Sequence, residues 1–225
     1  MKNKVVSIEE AVKNIKHGDT VMFGGFGGFG TPNNIVLEMV RQNVGGLTVI
    51  TEDFSHGLRN FEMGLMPLLS HKLVKKAMLC FAGLQPLVTE QAFAGELEVE
   101  LIPQGTLAER MRAGGAGLGG FYTPVGVGTV VAEGKETREI DGKLYLLEKP
   151  LRANVSIVKA YKADTFGNAI FKYNSISFNP LAAMAGDIVI MEVEHLVEPG
   201  EIPPDRVQLP GVFIDYIVIQ EEVAP

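Results

Sequence analysis

Apolar and polar positions follow two distinct patterns along the first half of the chain. Short continuous apolar runs, such as LTVIT at 47–51, are typical of strands that are buried on both faces of a parallel sheet. Between these runs apolar residues recur at helical spacing, as in 33–42, where Ile35, Val36 and Met39 share one face. Strands that alternate with helices in this way predict an α/β fold, a mostly parallel sheet with flanking helices.

The same patterns predict elements along most of the chain. The predicted strands are 21–23, 47–51, 73–81, 97–102, 155–160, 169–171, 187–192 and 212–219. The predicted helices are 7–16, which begins with a capping box of Ser7 and Glu10, 33–42, 89–94 and 106–113. Asp141 and Gly142 predict a β-hairpin turn within 139–148. We find no linker and no internal repeat, and expect one domain over residues 1–225.

The most informative segment is TVMFGGFGGFGTPN at 20–33. A short apolar strand leads directly into a loop that contains Gly24, Gly25, Gly27, Gly28 and Gly30. Thr31 is then expected to cap a helix, and Pro32 to take its first position. Glycines let a backbone approach a ligand closely, and a helix N-terminus offers free N–H groups to an anion. The segment therefore predicts a site for a phosphate-bearing ligand or a developing oxyanion.

One alternative for this segment is a dinucleotide site. Residues 25–30 match G-x-G-x-x-G, and Glu52 and Asp53 follow the next predicted strand. In that motif, however, the third glycine lies inside the helix, whereas Thr31 and Pro32 are expected to start the helix after Gly30. A tight turn without any ligand would need fewer glycines, so a ligand-binding loop is favoured.

Composition and charge indicate which kinds of ligand and location are to be expected for this protein. The net charge of −7 and the pI near 5.2 argue against a nucleic-acid surface. The single Cys80 excludes an internal disulfide and is expected to be a small buried apolar residue. No run is long enough to cross a membrane, and the N-terminus does not resemble a signal peptide, so we expect a cytoplasmic protein. His17, His56, His71 and His195 lack the spacing of metal ligands, and no metal is expected.

Longer blocks carry a family resemblance. TVMFGGFGGFGTP resembles the first signature of the family I CoA-transferases, and the blocks at 96–129, 149–171 and 178–194 resemble further regions of the same family's A chain. The resemblance covers nearly the whole sequence. Two places depart from the pattern, His17 at the start of the signature and TED at 51–53, where relatives often carry Asn. The resemblance therefore does not extend to a CoA contact from Glu52 or Asp53.

The resemblance implies a division of labour between two chains. This family uses a glutamate nucleophile on the B subunit, in a Glu-Asn-Gly or similar turn, and passes through an enzyme–CoA thioester. No glutamate here precedes Asn-Gly; Glu133 before Gly134 is the nearest match, and a solvated turn charge is the favoured interpretation for it. The chain therefore resembles the non-nucleophilic subunit, expected to pair with a homologous B subunit in a heterotetramer.

The resemblance also implies the site residues. Gln104, in PQGT after an apolar strand, matches the family's Gln that donates to the oxyanion beside the glutamyl centre. From sequence alone, a Gln that stabilises the turn before a helix at Thr106 is a competing interpretation. Coenzyme A is expected against the loop, on Gly24, Gly25, Phe26, Gly27, Gly28, Phe29 and Gly30. The glycines of 114–120 are expected to allow close packing at the ligand or at the subunit interface.

The function predicted from these residues is transfer of CoA between a short-chain acyl-CoA (acetyl, acetoacetyl, butyryl or succinyl) and a carboxylic acid. Two alternatives stay open at this point. One is a stand-alone NAD-dependent oxidoreductase that uses GFGGFG as its dinucleotide loop. The other is a non-catalytic binding protein with the same fold. The sequence does not identify the acyl donor or the acceptor.

Overall fold

The computed structural model describes residues 3–54, 64–83 and 85–220. The strands are β1 (Thr20–Phe23), β2 (Leu47–Ile50), β3 (Val74–Leu79), β4 (Glu98–Leu101), β5 (Phe121–Thr123), β6 (Thr137–Ile140), β7 (Lys143–Glu148), β8 (Ala153–Asp164), β9 (Ala169–Ile170), β10 (Gly186–Val197) and β11 (Tyr216–Ile219). The α-helices are α1 (Ile8–Val12), α2 (Asn33–Arg41), α3 (Met66–Ser70), α4 (Pro86–Phe93), α5 (Gln104–Gly115) and α6 (Asn179–Ala185). Short 3-10 turns lie at Val130–Ala132, Tyr173–Ile176, Pro204–Arg206 and Gly211–Phe213.

A parallel sheet forms the centre of the described chain. Its strand order is β11-β10-β8-β1-β2-β3-β4, with β9 antiparallel to β8 at one end. Every neighbouring pair in that order is parallel. The predicted α/β fold with a mostly parallel sheet and flanking helices is therefore confirmed.

Successive side chains of the central strands pack into two separate hydrophobic cores, one on each face of the sheet. Phe23 is buried with α1 to α4 on one face of the sheet, whereas Met22 is buried with α5 and α6 on the other. Because side chains alternate between the faces of a strand, a strand covered on both sides must be apolar at consecutive positions. This is why β1 and β2 have continuous apolar runs rather than alternating ones.

The strand order reverses direction between β1 and β8. From β1 the chain continues through α2 to β2 on one side, whereas β8 leads through α6 to β10 on the other. The connections therefore diverge at the carboxyl ends of β1 and β8, which leaves a crevice between them. In open α/β sheets ligands bind at such a point.

Element boundaries differ from the predictions at several places. Helix α1 ends at Val12, well before residue 16, although Ser7 Oγ accepts the Glu10 N–H at 3.2 Å as expected of a cap. The strand predicted at 212–219 begins only at Tyr216, after a 3-10 turn. The sequence patterns do not predict helices α3 and α6, because both are short and have Pro in the first turn.

A small antiparallel sheet of order β5-β7-β6 lies beside the main one. Its β6–β7 turn has positive φ at Asp141 (51°) and Gly142 (75°), so the predicted hairpin is confirmed. Among the described residues, we find no helix long and apolar enough to cross a membrane. A single domain over residues 1–225 stays a prediction.

The first two glycines of the 114–120 run belong to a helix. Helix α5 continues to Gly115, and a Cβ on Gly114 would lie 1.8 Å from the Leu151 carbonyl oxygen. A Cβ on Gly115 would lie 2.5 Å from Met184 Cβ in α6. At these two positions the close approach is between elements of this chain, whereas a ligand or subunit contact of the 114–120 run stays a prediction.

These contacts predict opposite effects for two glycines of the same helix. Gly114→Ala should lower the free energy of unfolding by about 2 kcal/mol, because the added methyl group must displace a backbone carbonyl. Gly105→Ala should raise it by up to about 1 kcal/mol, because nothing lies within 4 Å of the new Cβ and Ala favours helix. Urea unfolding of both variants measures the difference; an equal change in the two would contradict the packing described.

Candidate functional site

The glycine loop after β1 is a tight hairpin. The Phe26 N–H donates to the Phe29 carbonyl at 3.0 Å, and the Phe29 N–H donates to the Phe26 carbonyl at 2.9 Å. Between them Gly27 and Gly28 have φ values of 57° and 85°, the left-handed pair of a two-residue turn that glycine adopts most easily. The turn exposes 37% of Phe26 and 65% of Phe29. The loop therefore presents two aromatic side chains at its tip.

The ends of the loop pack against a buried amide. A Cβ on Gly24 would lie 1.9 Å from Asn179 Oδ1, and one on Gly30 would lie 2.7 Å from Asn179 Nδ2. Asn179 donates to the Gly30 carbonyl at 3.1 Å and to the Ser175 carbonyl at 2.7 Å. Gly24 and Gly30 thus make room for a side chain of this protein.

The N-terminus of α2 is occupied by a carboxylate of the chain itself. Glu192 Oε2, from β10, accepts the Asn34 N–H at 3.0 Å and the Ile35 N–H at 3.1 Å. The helix begins at Asn33, with Pro32 as N-cap and no side-chain capping bond. The predictions of Thr31 as cap and of Pro32 as first helical residue are therefore wrong, because a cap distant in sequence satisfies these N–H groups.

Glu192 lies in an unusual electrostatic environment. It is fully buried, and burial raises the pKa of Glu192 to about 7, although the Lys159 charge and the two N–H bonds act in the opposite direction. Lys159 Nζ lies 3.9 Å from Glu192 Oε1 and 3.5 Å from Glu194 Oε1. At 3.9 Å the attraction between Lys159 and Glu192 does not outweigh the effect of burial. The carboxyl group of Glu192 can therefore gain or lose its proton near neutral pH.

Glu52 also contacts the hairpin from beneath. Its Oε2 accepts the Gly27 N–H at 3.3 Å, and the Cys80 thiol donates to its Oε1 at 3.2 Å. Burial raises the pKa of Glu52, and the neighbouring Asp53 charge raises it further. Burial also raises the pKa of the Cys80 thiol, so it stays protonated rather than becoming a nucleophile. Cys80 is only half-buried, which differs from the expectation.

Gln104 is the first residue of α5, and its side chain is exposed. The helix was predicted to start at Thr106, so the interpretation of Gln104 as a residue of the preceding turn is wrong. Gln104 and Phe26 line the same open cleft of about 370 Å³. The other lining residues are Ala108, Asn174, Ser177, Phe178 and Leu181.

The structure thus brings together two of the residues singled out in the sequence and separates others. Phe26 and Gln104 meet at one cleft, whereas Glu133 is exposed after a 3-10 turn and does not line it.

The histidines lie away from this cleft where the structure describes them; His17, for example, packs near Gly46. His56 lies outside the described residues. Across the described ranges, no group of three His, Cys, Asp or Glu is placed to hold a metal.

Sequence reasoning missed the two residues that shape this region, Asn179 and Glu192. A signal for Glu192 exists, since a carboxylate inside the apolar run IVIMEVE must find a partner when it is buried. Asn179 precedes Pro180 at the start of α6. Its hydrogen-bond partners are Ser175, four residues earlier, and the more distant Lys159 and Gly30, and no local pattern indicates the distant pair.

Comparisons with known proteins agree on one family. The sequence model described as "Coenzyme A transferase" matches residues 5–220. The chain is 48% identical over 213 residues to the A chain of a probable succinyl-CoA:3-ketoacid coenzyme A transferase of Bacillus subtilis, covering 95% of this chain and 88% of that protein. It is 43% identical to the alpha chain of the acetate CoA-transferase of Escherichia coli, covering 99% of each.

Solved structures share the fold. A decarboxylase AibA/AibB variant has a TM-score of 0.81 and 26% identity, covering 98% of this chain and 84% of that one. An acyl-CoA transferase from E. coli O157:H7, in a thioester complex with CoA, has a TM-score of 0.84 and 24% identity over 99% of this chain. The present chain spans 48% of the length of that transferase.

The burial of Glu192 predicts a pH dependence of stability. Its pKa is about 7 when folded and 4.5 ordinarily, so the folded state binds the proton more tightly. Below pH 4.5 Glu192 is protonated in both the folded and the unfolded state, and the folded state carries no penalty for a buried charge. As the pH rises from 4.5 to about 7, the unfolded state loses the proton first, and the folded state becomes less stable relative to it. Relative to Glu192→Gln, wild type should lose about 3 kcal/mol of unfolding free energy over that interval. Urea unfolding of both chains at several pH values tests this, since other titrating groups cancel; parallel profiles would refute it.

Proposed function

This chain belongs to the coenzyme A transferase family, and we propose that it is the non-nucleophilic chain of a two-chain enzyme that moves CoA from a short-chain acyl-CoA to a carboxylic acid. Three relatives that match 95%, 99% and 96% of this chain are named as the A or alpha subunits of such enzymes. A homologous B subunit is therefore the expected partner, with a heterotetramer as the expected assembly. The cytoplasmic location expected from the sequence belongs to the same proposal.

The proposed reaction proceeds in two halves on a carboxylate of the partner. That carboxylate attacks the acyl carbonyl and releases CoA thiolate, which leaves a mixed anhydride. The thiolate then attacks the glutamyl carbonyl of the anhydride, so that the donor acid leaves and an enzyme–CoA thioester remains. The acceptor acid reverses these steps and departs as the new acyl-CoA. Each attack places negative charge on a carbonyl oxygen, which a nearby neutral donor can stabilise.

The observation that carries the proposal is the position of Gln104. Its side chain is exposed at the first residue of α5, on a cleft that it shares with Phe26 of the glycine hairpin. An amide N–H there is available to an incoming oxyanion and is not used in packing. We assign Gln104 the role of oxyanion donor, with the reacting carboxylate supplied across the cleft by the partner.

The hairpin is proposed to contact coenzyme A through its tip. The N–H groups of Asn34 and Ile35 in α2 are already bonded to Glu192, so this helix start does not offer them to a phosphate. What the loop exposes is Phe26, Phe29 and the Gly27–Gly28 turn between them. Such a surface suits the pantetheine arm of CoA better than its phosphates. Gly24 and Gly30 support this surface from behind.

The same geometry disfavours an NAD-dependent oxidoreductase. In a dinucleotide-binding fold the pyrophosphate lies at the helix N-terminus that follows the glycine loop. Here Glu192 occupies that position, and its carboxylate would repel a pyrophosphate. The family membership likewise gives this alternative no support.

Gln104→Ala tests the proposed oxyanion donor. In the two-chain complex it should lower kcat by roughly 10²–10³, the usual effect of removing one such donor. Assembly with the partner should be retained, because the side chain is exposed. Gln42→Ala, at the end of α2 on the other side of the sheet, is the matched control and should leave turnover unchanged. A Gln104→Ala enzyme with a kcat within a few-fold of wild type would refute the role of Gln104 as oxyanion donor.

The division of labour between the chains predicts where the covalent intermediate forms. Incubating the complex with acyl-CoA but no acceptor acid should load a thioester onto the partner chain. Borohydride reduces that thioester to a stable alcohol, which mass spectrometry of proteolytic peptides can locate. The present chain alone should accumulate none. A reduced residue on a peptide of this chain, Glu133 included, would overturn the proposed roles.

A further inference from the structure

We propose that Asn179 is a positioning residue for the transfer reaction, which holds the two walls of the cleft at a fixed separation around Gln104. This inference rests on the function proposed above for that cleft. One wall is the glycine hairpin, which carries Phe26. The other is the segment 173–177, which carries Asn174 and Ser177. Asn179 does not line the cleft and acts through these walls.

The hydrogen bonds of Asn179 join the turn just before α6 to two distant segments, β8 and the glycine hairpin. Its Oδ1 accepts the Lys159 N–H of β8 at 2.9 Å. Its Nδ2 donates one bond to the Gly30 carbonyl, at the end of the hairpin, and one to the Ser175 carbonyl in the opposite wall. Since an amide nitrogen has two hydrogens, both are used, one for each wall. The side chain is fully buried, so water does not replace these bonds.

The hairpin is shaped to receive this side chain. Gly24 directly follows β1 and packs against the side chain of Asn179, so that a Cβ at this position would lie 1.9 Å from Asn179 Oδ1. At Gly30 a Cβ would lie 2.7 Å from both Asn179 Nδ2 and the Ser175 carbonyl oxygen. Both ends of the loop thus pack against one residue, whereas the tip exposes Phe26 and Phe29.

The opposite wall depends on the same contact. Tyr173 begins the 3-10 turn with φ at 53°, a conformation that is unfavourable for an aromatic residue. Ser175 bonds locally with Lys172, whose ammonium lies over the Tyr161 ring at 4.8 Å, and its carbonyl accepts from Asn179, the residue that also bonds Gly30. Loss of the Asn179 bond is therefore expected to loosen the backbone that carries Asn174 and Ser177 relative to Phe26.

Asn179→Asp isolates the positioning role. The substitution keeps the shape and the acceptor for the Lys159 N–H, but it replaces the donor group by an oxygen that faces the Gly30 and Ser175 carbonyls. Asn154→Asp is the matched control. Asn154 Oδ1 accepts the Thr20 N–H at 2.9 Å, so it is also an Asn bonded to strand backbone, but at the amino end of β1. If Asn179→Asp does not fold, as judged by thermal denaturation, Asn179→Ser takes its place.

A first measurement needs no activity. The chain contains no Trp, so Phe26→Trp introduces a single fluorescent probe on the hairpin wall. In the full chain, acrylamide quenching of this probe should increase about two-fold with Asn179→Asp, because the loop opens more often to solvent. With Asn154→Asp it should be unchanged. Quenching that is the same in all three proteins would overturn the proposal.

A second measurement uses the two-chain complex and separates kcat from KM. Asn179→Asp should lower kcat by about 10- to 100-fold, the cost of slightly misplaced catalytic groups, with a smaller change in KM. In the Gln104→Ala background the same substitution should cost much less, because the group to be positioned is gone. Equal losses in both backgrounds would overturn the positioning role. A wild-type complex without CoA transfer would instead refute the proposed function, while the quenching result would still test the contact.

Discussion

Buried polar side chains that satisfy backbone groups at the carboxyl ends of β1 and β8 are the interactions on which this site depends. Asn179 bonds the Gly30 end of the glycine hairpin and packs against the Gly24 end, and Glu192 satisfies the first free N–H groups of α2. Unpaired backbone groups in a buried junction are costly, so each bond constrains the chain strongly. The sheet supplies the frame, since both side chains come from elements that follow β8 on the far side of the crevice.

These constraints separate two roles that glycine has in one loop. Gly24 and Gly30 are small because Asn179 lies against them, whereas Gly27 and Gly28 adopt the positive φ of a tight turn. A glycine-rich segment after a strand therefore does not by itself indicate a phosphate cradle. In this chain the loop ends, Gly24 and Gly30, pack against buried Asn179, whereas Phe26 at the tip lines the cleft.

The division between the two chains of a CoA-transferase has a physical counterpart in this arrangement. The chain provides a hydrogen-bonded wall, an exposed amide at Gln104 and an open cleft, but Glu52 and Glu192 near the hairpin are already engaged. Glu52 accepts hydrogen bonds from Gly27 and Cys80, and Glu192 is bonded to α2. A carboxylate held in this way is a poor nucleophile. The reacting carboxylate is better supplied by a second chain that approaches the open side.

The sequence by itself determined the α/β fold, the main strands and the hairpin at Asp141, because continuous apolar runs and turn residues act locally. It also singled out the glycine loop and Gln104 as candidates, and the long family blocks predicted a role for them. Only the tertiary structure decided that Thr31 is not the cap of α2, that α5 begins at Gln104, and that Asn179 joins the cleft walls. The reason is that a hydrogen bond such as that of Glu192 to Ile35, 157 residues away, leaves no local pattern in the chain.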